Sequence, residues 1–349
     1  MRHANVALFV PNNGCPHACS FCNQKSITGK AVQPTPADVV SAAETALTHL
    51  GSDSQSAEIA FFGGSFTALK RSYMISLLEA AAHYVRNGSF FGIRISTRPD
   101  AIDPEVLSIL KDYGVTTIEL GAQSMDDRVL QLNERGHTAE QVRTAAKLIH
   151  SSGFSLGLQM MTGLYGDTLS GAKNTAEQFA ALHPDCVRIY PTIVIKGTRL
   201  GELFLQGRYT PPGLEETVAL CADLLDFFES RNIPVIRLGL HASPELERDR
   251  LAGPWHPAFR QLCESRRMLT KIVDTLTANK VAKGKTIVRV HPANASVAVG
   301  QKKCNLKTLL KLGYDVSLEY DSALRKGEFQ ILDIGGNRIA AEIAGTSGF

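Results

Sequence analysis

The chain has 349 residues, of which 44% are hydrophobic and 20% are charged, and its mean hydropathy is −0.04. This composition can bury a sizeable core, which excludes a disordered or fibrous protein. The length predicts one large domain with a smaller one, or two of middling size. Thirty-seven basic and 34 acidic residues give a formal charge of +3, which by itself favours no class of partner.

The first predicted element is a short apolar strand at residues 5–10, and the polar residues Asn12 and Asn13 follow it. That apolar run is too short for the core of a signal peptide. No run approaches the roughly eighteen apolar residues of a membrane span. We therefore expect a soluble, cytoplasmic protein with no membrane partner.

Strand-like and helix-like runs alternate over the first 240 residues. The six strand-like runs are residues 5–10, 58–62, 91–97, 116–120, 154–161 and 186–190, and amphipathic runs lie between them at 37–50, 72–86, 104–111, 139–150 and 169–182. This alternation predicts βαβ units and a parallel sheet, because parallel neighbours need crossover connections. Six units in order predict an α/β fold of the TIM-barrel type, closed or partial.

The last third of the chain predicts a different arrangement. A helix-like run at 214–231 and a short strand at 234–238 complete the barrel region, and residues 241–257 are rich in proline and charge. A long helix ending at Asn279, a helix at 302–311 and strands near 286–290, 314–319 and 328–333 follow. We therefore expect a barrel domain at 1–240, a linker at 241–257 and a small basic α+β domain at 258–349.

Three of the seven cysteines are clustered. Cys15, Cys19 and Cys22 have the spacing C-x3-C-x2-C directly after the first strand, whereas the other four are dispersed. An odd, clustered set excludes a disulfide framework and favours a metal site or catalysis. Three thiolates on one loop can hold three irons of a [4Fe–4S] cluster and leave the fourth iron open for chemistry. Zinc is the nearest alternative, but its fourth ligand would have to be His17, which lies between the cysteines.

Two further connections after strands, 63–67 and 121–125, are polar or glycine-rich like the cysteine loop. Ligands of parallel α/β folds bind at the carboxyl ends of strands. We therefore expect all three loops to share one face of the barrel.

The C-x3-C-x2-C spacing, with Phe21 just before the last cysteine, resembles the motif of the radical S-adenosylmethionine (SAM) superfamily. The resemblance implies a partial (βα)6 barrel and a [4Fe–4S] cluster whose open iron binds the amino and carboxylate groups of SAM. It also implies reductive cleavage of SAM to a 5′-deoxyadenosyl radical, which abstracts hydrogen from a substrate. An electron donor such as flavodoxin or ferredoxin is the partner that such cleavage implies.

Residues near the ends of successive strands are similar to the SAM-binding motifs of that superfamily. The residues that the resemblance assigns to SAM are Phe21, Gly63, Gly64, Ser65, Thr97, Gln123, Arg135 and Gln159. It implies that Arg135 pairs with the methionine carboxylate and that Gln159 binds the ribose. The alternatives are a tight glycine turn at residues 63–64 and a solvated surface arginine at Arg135.

Three strings, NERGHT at 133–138, GLQMM at 157–161 and VRIYPTIVIKGT at 187–198, resemble the radical SAM domain of the Elongator catalytic subunit family. That family modifies wobble uridines of tRNA and carries an acetyltransferase domain after the radical domain. The last ninety or so residues here are too few for that domain and show no acetyl-CoA loop. The resemblance therefore implies a shortened relative that modifies RNA, with tRNA as the first candidate and with Tyr190 and Lys196 on the substrate side.

Basic residues concentrate in the last hundred residues. Twelve basic and two acidic residues between positions 260 and 311 give this segment a charge of +10, which leaves −7 for the other 297 residues. A basic segment suits a phosphate backbone, although a solvated helix face is the alternative. The candidate RNA contacts are Arg266, Arg267, Lys283, Lys285, Lys302 and Lys303.

Two other functions remain open at this point. One is a radical SAM enzyme that acts on a small molecule or a peptide, with the basic segment merely solvated. The other is an RNA-binding module whose cluster is structural.

Overall fold

The structure is a computed structural model that describes residues 4–11, 15, 19–23, 32–332 and 338–342. The chain divides into two compact units, of which the first comprises Met1–Pro212 with Leu240–Trp255 and the second Gly213–Gly239 with His256–Phe349. No helix in these described ranges is long and apolar enough to cross a membrane.

Six parallel strands form the centre of the first unit. They are β1 (Asn5–Val10), β2 (Glu58–Gly63), β3 (Gly92–Thr97), β4 (Val115–Gln123), β5 (Ser155–Thr162) and β6 (Cys186–Pro191), and they pair in chain order. The helices between them are α1 (Pro36–Leu50), α2 (Arg71–Arg86), α3 (Pro104–Asp112), α4 (Asp127–Leu132), α5 (Ala139–Ser151) and α6 (Leu169–Ala180). The predicted α/β fold with a partial TIM-like barrel is confirmed.

Local sequence signals explain where these helices begin. Thr138 precedes α5, and its side chain accepts a hydrogen bond from the backbone N–H of Gln141. In return, the backbone N–H of Thr138 donates to the Gln141 side-chain oxygen. This reciprocal capping box satisfies N–H groups that the first turn of a helix leaves unpaired. The last residue of the NERGHT string is therefore a helix cap, and α5 then buries Val142, Ala146 and Ile149 on one side.

The first unit also contains a small antiparallel pair of strands beyond β6. Strand β7 (Val194–Ile195) precedes α7 (Arg199–Leu205) and pairs with β9 (Arg250–Ala252), which follows α9 (Pro244–Asp249). Leu246 is fully buried against Ile193 and Ile195. The segment predicted as a linker at 241–257 is thus largely folded onto the first unit, because its proline starts a helix and its charges occupy that helix's exposed side.

The second unit is an α+β arrangement. It comprises α8 (Leu214–Glu229), β8 (Val235–Leu238), α10 (Phe259–Ala278), β10 (Gly284–Val290), α11 (Ala295–Val299), α12 (Cys304–Lys311), β11 (Tyr314–Tyr320), β12 (Glu328–Leu332) and β13 (Arg338–Glu342). The sheet order is β11-β10-β12-β13, with β10 and β11 parallel and the other pairs antiparallel. Its core contains Met268, Ile272, Val288 and Phe329.

The predicted boundary between barrel and C-terminal domain differs from this division. Residues 213–239 follow the βα alternation of the barrel in sequence, yet they belong to the second unit. The reason is a buried contact between α8 and α10, in which Arg267 pairs with Asp226 at 2.8 Å and with Glu229 at 2.7 Å.

Candidate active site

The structure brings the three predicted loops to the carboxyl ends of β1, β2 and β4. Val10, the last residue of β1, pairs with Gly63, the last residue of β2, and the Val10 carbonyl accepts the Gly64 N–H at 2.7 Å. Gly63 has a φ of 109°, and a Cβ there would lie 3.1 Å from the Val10 oxygen. A left-handed φ and this close approach both require glycine, so the β2 turn lies directly beside the start of the cysteine loop.

Hydroxyl groups fix the β2 turn to the end of β3. The Thr97 hydroxyl lies 2.9 Å from the Ser65 hydroxyl and 2.6 Å from the Thr67 hydroxyl, and all three side chains are buried. The Ser65 oxygen also accepts the Arg98 N–H at 3.1 Å. Ser65 and Thr97 therefore brace the turn, and their predicted contact with SAM stays a prediction.

The described part of the cysteine loop is tied to two of the sequence strings. Ser20 donates through its N–H to the Asn133 carbonyl and through its hydroxyl to the Asn133 side chain, at 3.1 and 2.9 Å. The Ser20 carbonyl accepts the Leu200 N–H at 2.7 Å. Phe21 packs against the cluster formed by Val194, Leu200, Leu203 and Tyr209. The strings NERGHT and VRIYPTIVIKGT thus help to position the loop.

Arg135 lies inside the site and is only 6% exposed, which excludes the alternative of a solvated surface arginine. Its Nη1 is 3.0 Å from the Cys19 sulfur, and its Nη2 donates to the Gly121 carbonyl. The Phe21 ring lies 6.0 Å from its guanidinium carbon. Its Nε is buried without a partner among the described residues. Arg135 therefore connects the cysteine loop with the end of β4 and keeps one donor unused.

Two further buried polar atoms near β4 have no partner within the described ranges, namely Gln123 Oε1 and His137 Nδ1. Gln123 has a left-handed φ of 67°, where β4 departs from regular pairing with β5. A Cβ on Gly121 would lie 3.0 Å from the Gln123 amide and 3.6 Å from Arg135 Nη2. Buried polar atoms normally find partners. Unused donors and acceptors around a glycine therefore fit a polar ligand that carries both amino and carboxylate groups.

The cysteines have the donor chemistry of a cluster, but they do not form an ion-binding group among the described residues. None of the three is in a disulfide bond. Burial, followed by the charge of Cys19, raises the pKa of Cys15, despite Arg98 and Arg135 nearby. No group of three Cys, His, Asp or Glu side chains within the described ranges is arranged to hold an ion. His17 lies outside those ranges. Binding of one cluster by Cys15, Cys19 and Cys22 stays a prediction.

A buried ionic network crosses β2, β3, β4 and β6 and was not predicted from the sequence. Glu119 binds Arg94 at 2.8 Å and Arg188 at 2.6 Å, and Arg94 also binds Glu58 at 2.6 Å. Burial opposes ionisation of Glu119, but Arg188 and Arg94 outweigh it and lower its pKa. The sequence does contain a sign of this network, because its charged residues alternate with apolar residues inside the predicted strands.

This network occupies the residue predicted to bind ribose. Gln159 donates through its amide nitrogen to the Ser96 hydroxyl at 3.1 Å and to Glu119 at 2.8 Å. Both amide hydrogens are therefore engaged within the protein. A ribose contact by Gln159 stays a prediction and would have to use the amide oxygen as an acceptor.

The structure separates the two predicted substrate-side residues by exposure. Tyr190 is half-buried on β6 near Arg188, whose guanidinium lies 4.7 Å above the Phe62 ring. Lys196 is exposed, and its backbone N–H donates to the Asp249 carbonyl. Tyr190 thus lies next to the buried network, whereas the Lys196 side chain faces solvent.

One predicted RNA contact is wrong. Arg267 is 2% exposed, and its ion pairs with α8 engage it fully inside the second unit. A buried, paired guanidinium cannot reach a phosphate backbone without breaking those pairs. The other five predicted contacts, Arg266, Lys283, Lys285, Lys302 and Lys303, are exposed.

The burial of His137 predicts a pH dependence of stability. Burial, together with the charge of Arg135, lowers the pKa of His137 from 6.5 to about 4. Below pH 6.5 His137 is protonated in the unfolded chain, but in the folded chain it stays neutral down to about pH 4. The free energy of unfolding therefore falls over this window by up to about 3 kcal/mol. We expect His137→Gln to flatten the dependence of the unfolding free energy on pH between 7 and 4.5, measured by urea unfolding of the apoprotein.

Exposed His241 provides the control, because His241→Gln should leave this pH dependence as it is. The difference between each variant and the wild type is the quantity to compare. This difference cancels the contribution of Asp167, which is the same in every variant. Burial raises the pKa of Asp167 to about 6, so its contribution to the unfolding free energy increases as the pH falls. Equal pH dependence in His137→Gln and the wild type would contradict the prediction.

The sequence comparisons agree with the site geometry. Residues 9–179 match the family profile described as Radical SAM superfamily, and residues 184–270 match the profile described as Radical_SAM C-terminal domain. The predicted resemblance is confirmed at the level of the superfamily.

Three relatives illustrate the similarity. Human Elongator complex protein 3 is 34% identical over 202 residues, which cover 51% of this chain and 36% of that protein. The tRNA uridine(34) acetyltransferase of Dehalococcoides mccartyi is 27% identical over 254 residues, which cover 63% and 55%. An uncharacterised protein of Methanocaldococcus jannaschii is 32% identical over 158 residues, which cover 44% and 49%. The chain therefore spans only 36% to 55% of the length of these relatives.

Among solved structures, Methanocaldococcus infernus Elp3 with an N-terminal deletion has a similar fold. The TM-score is 0.53 over 70% of this chain and 61% of that one, at 21% sequence identity. At that identity the similarity concerns the fold, and it supports the partial barrel described above.

Proposed function

This chain belongs to the radical SAM superfamily of enzymes, and we propose that it is a member that modifies RNA, with tRNA as its substrate. A [4Fe–4S] cluster and SAM are the cofactors of this superfamily. When bound, they supply reductive cleavage of SAM to a 5′-deoxyadenosyl radical, which takes hydrogen from a substrate.

In this proposal Cys15, Cys19 and Cys22 hold the cluster, and the residues around Gly121 hold the methionine part of SAM. The observation that carries this assignment is the position of Arg135, which is buried between the Cys19 sulfur and the Gly121 carbonyl with its Nε unused. A guanidinium binds a carboxylate through charge-assisted hydrogen bonds. Gln123 supplies an acceptor for the amino group, and the glycine turn at Gly63 and Gly64 lies beside the start of the cysteine loop.

Further residues would keep the ligand in place. The Ser65–Thr97 contact holds the β2 turn against β3, and the Phe21 ring supports the Arg135 guanidinium. Tyr190, half-buried on β6 near Arg188, is the residue that we assign to the substrate side. Lys196 is exposed beside the cysteine loop and would contact a large substrate rather than the reacting atoms.

The RNA substrate is supported by two observations. The first is similarity to a protein described as a tRNA uridine(34) acetyltransferase and to Elongator complex protein 3. The second is the charge of +10 between residues 260 and 311. An electron donor such as flavodoxin or ferredoxin would complete the system.

The proposal is tested with the anaerobically reconstituted full chain and a deletion strain. We expect reduced protein to form 5′-deoxyadenosine from SAM, and we expect one modified nucleoside to disappear from the tRNA of the deletion strain in mass spectrometry. Absence of 5′-deoxyadenosine would contradict the radical chemistry and favour an RNA-binding module. Cleavage of SAM with unchanged tRNA and rRNA nucleosides would instead favour a small molecule or peptide as the substrate.

A further inference from the structure

A forty-residue part of the second unit has no acidic side chain. Residues 275–314 contain eight lysines and arginines and neither Asp nor Glu. Four of the eight, Lys302, Lys303, Lys307 and Lys311, lie on α12 or in the turn before it, and all four are exposed. None of them takes part in an ion pair in the described part of the chain. Their charges are therefore available to a partner.

Helical spacing aligns two of these lysines, and a third lies just before the helix. Lys307 and Lys311 are four residues apart, so they lie on one side of α12 with about 6 Å of rise between them. Lys303 is the residue that directly precedes the first turn of this helix. Asn305 and Leu309 face the interior on the other side. The Lys283 side chain lies near the other end of the helix, because a Cβ on Gly313 would lie 2.8 Å from the Lys283 Cδ atom. We refer to Lys283, Lys303, Lys307 and Lys311 as the lysine row.

Hydrogen bonds fix the start of α12 to the neighbouring helices. Lys302 and Lys303 have left-handed φ values of 53° and 60°. The Asn305 amide binds the Ser265 carbonyl at 2.9 Å and the Val297 carbonyl at 3.1 Å, which ties the beginning of α12 to α10 and α11. A surface that is already ordered loses less conformational entropy when it binds.

We propose that the lysine row binds the sugar–phosphate backbone of the RNA substrate. This assignment rests on the proposed function. Exposed lysines spread along the helix neutralise phosphates and release their counterions, which contributes affinity without reading sequence. The turn and α12 contain no aromatic side chain for stacking on bases. The lysine row therefore binds RNA without sequence preference, and other parts of the protein select the nucleotide that is modified.

The test compares two double variants of the full chain. Lys307→Ala/Lys311→Ala removes half of the row, and Lys70→Ala/Lys147→Ala removes two exposed lysines of the first unit as the matched control. Binding of labelled tRNA and of an oligouridine strand is measured by fluorescence anisotropy across salt concentrations. We expect the row variant to weaken both RNAs by the same factor. Its slope of log affinity against log salt should become shallower by about 1.4 to 1.8, while the control keeps the wild-type slope.

Each other outcome identifies what fails. An unchanged slope in the row variant would contradict binding of RNA by the lysine row. The proposed function would still stand if the wild type modified tRNA. An equal loss in the control variant would also overturn it, because net charge would then explain the binding. Loss of binding to phosphatidylserine vesicles rather than to RNA would assign the row to a membrane surface. If the wild type bound no RNA at low salt, both the binding of RNA by the lysine row and the proposal of an RNA substrate would be contradicted.

Discussion

Replacing Cys19 by alanine is expected to abolish the iron–sulfur absorbance of the reconstituted protein and to reduce 5′-deoxyadenosine formation to background. Two thiolates remain on the loop, and a [4Fe–4S] cluster with an open iron needs three. Cys19 is also the cysteine that Arg135 contacts, at 3.0 Å. Its removal therefore takes away a cluster ligand and the partner that holds Arg135 beside Gly121. Iron content, the visible spectrum and product chromatography measure the effect.

Cys304→Ala is the matched control, because Cys304 is an exposed cysteine in the second unit. It should keep the full iron content and full SAM cleavage. A Cys19→Ala protein that retained full cleavage would contradict the ligand assignment. Loss of both signals in Cys304→Ala would mean that reconstitution depends on any exposed thiol rather than on the C-x3-C-x2-C loop.

The second large effect concerns stability. Replacing Glu119 by alanine leaves Arg94 and Arg188 buried with too few carboxylates, since their side chains are only 7% and 12% exposed. Breaking a buried ion pair by removing one partner costs about 3–5 kcal/mol. We expect Glu119→Ala to lower the unfolding free energy of the apoprotein by this amount, measured by calorimetry as a lower transition temperature, or to prevent folding altogether.

Glu202→Ala is the matched control. Glu202 pairs with Arg199 at 3.0 Å, but its side chain is 61% exposed, so its loss should change stability by less than about 1 kcal/mol. Glu119→Gln keeps the volume and tests the charge alone. The lowered pKa of Glu119 stabilises the fold above its unfolded value of about 4.5, and this stabilisation is lost as the pH falls through the folded value. Similar transitions for Glu119→Ala and Glu202→Ala would contradict the prediction.

The barrel was predictable because its information is local. Each strand is a short apolar run, each helix is amphipathic, and caps such as Thr138 and Gln141 mark where helices begin. The cysteine spacing and the glycine turn at Gly63 are also contained in a few consecutive residues. The rule that loops at the carboxyl ends of parallel strands share one face then places them together.

The features that were missed depend on contacts between distant residues. The pairing of Arg267 with Asp226 spans 41 positions, and nothing beside Arg267 distinguishes it from the exposed Arg266. The same contact draws α8 into the second unit, although α8 continues the alternation of the barrel. Likewise, Arg135 reaches Cys19 across 116 positions, so its burial could not be deduced from its neighbours.

The buried charges inside the strands were in principle readable. Arg94 and Glu119 are flanked by apolar residues on both sides, and alternation along a strand puts charged residues on one face. Opposite charges facing inward from neighbouring strands can satisfy one another. A search for charges in apolar runs would therefore have found the network, although not the engagement of Gln159 in it.

The path of the chain between its two units has a practical consequence for engineering. The polypeptide passes from one unit to the other three times, after Pro212, after Gly239 and after Trp255. No single cut of the gene therefore yields either unit intact. A truncated protein ending near residue 257 would keep α8 without α10, and its Asp226 and Glu229 would lose their buried arginine. A chimaera with a relative would have to exchange two separate segments, residues 213–239 and 256–349, in the same step.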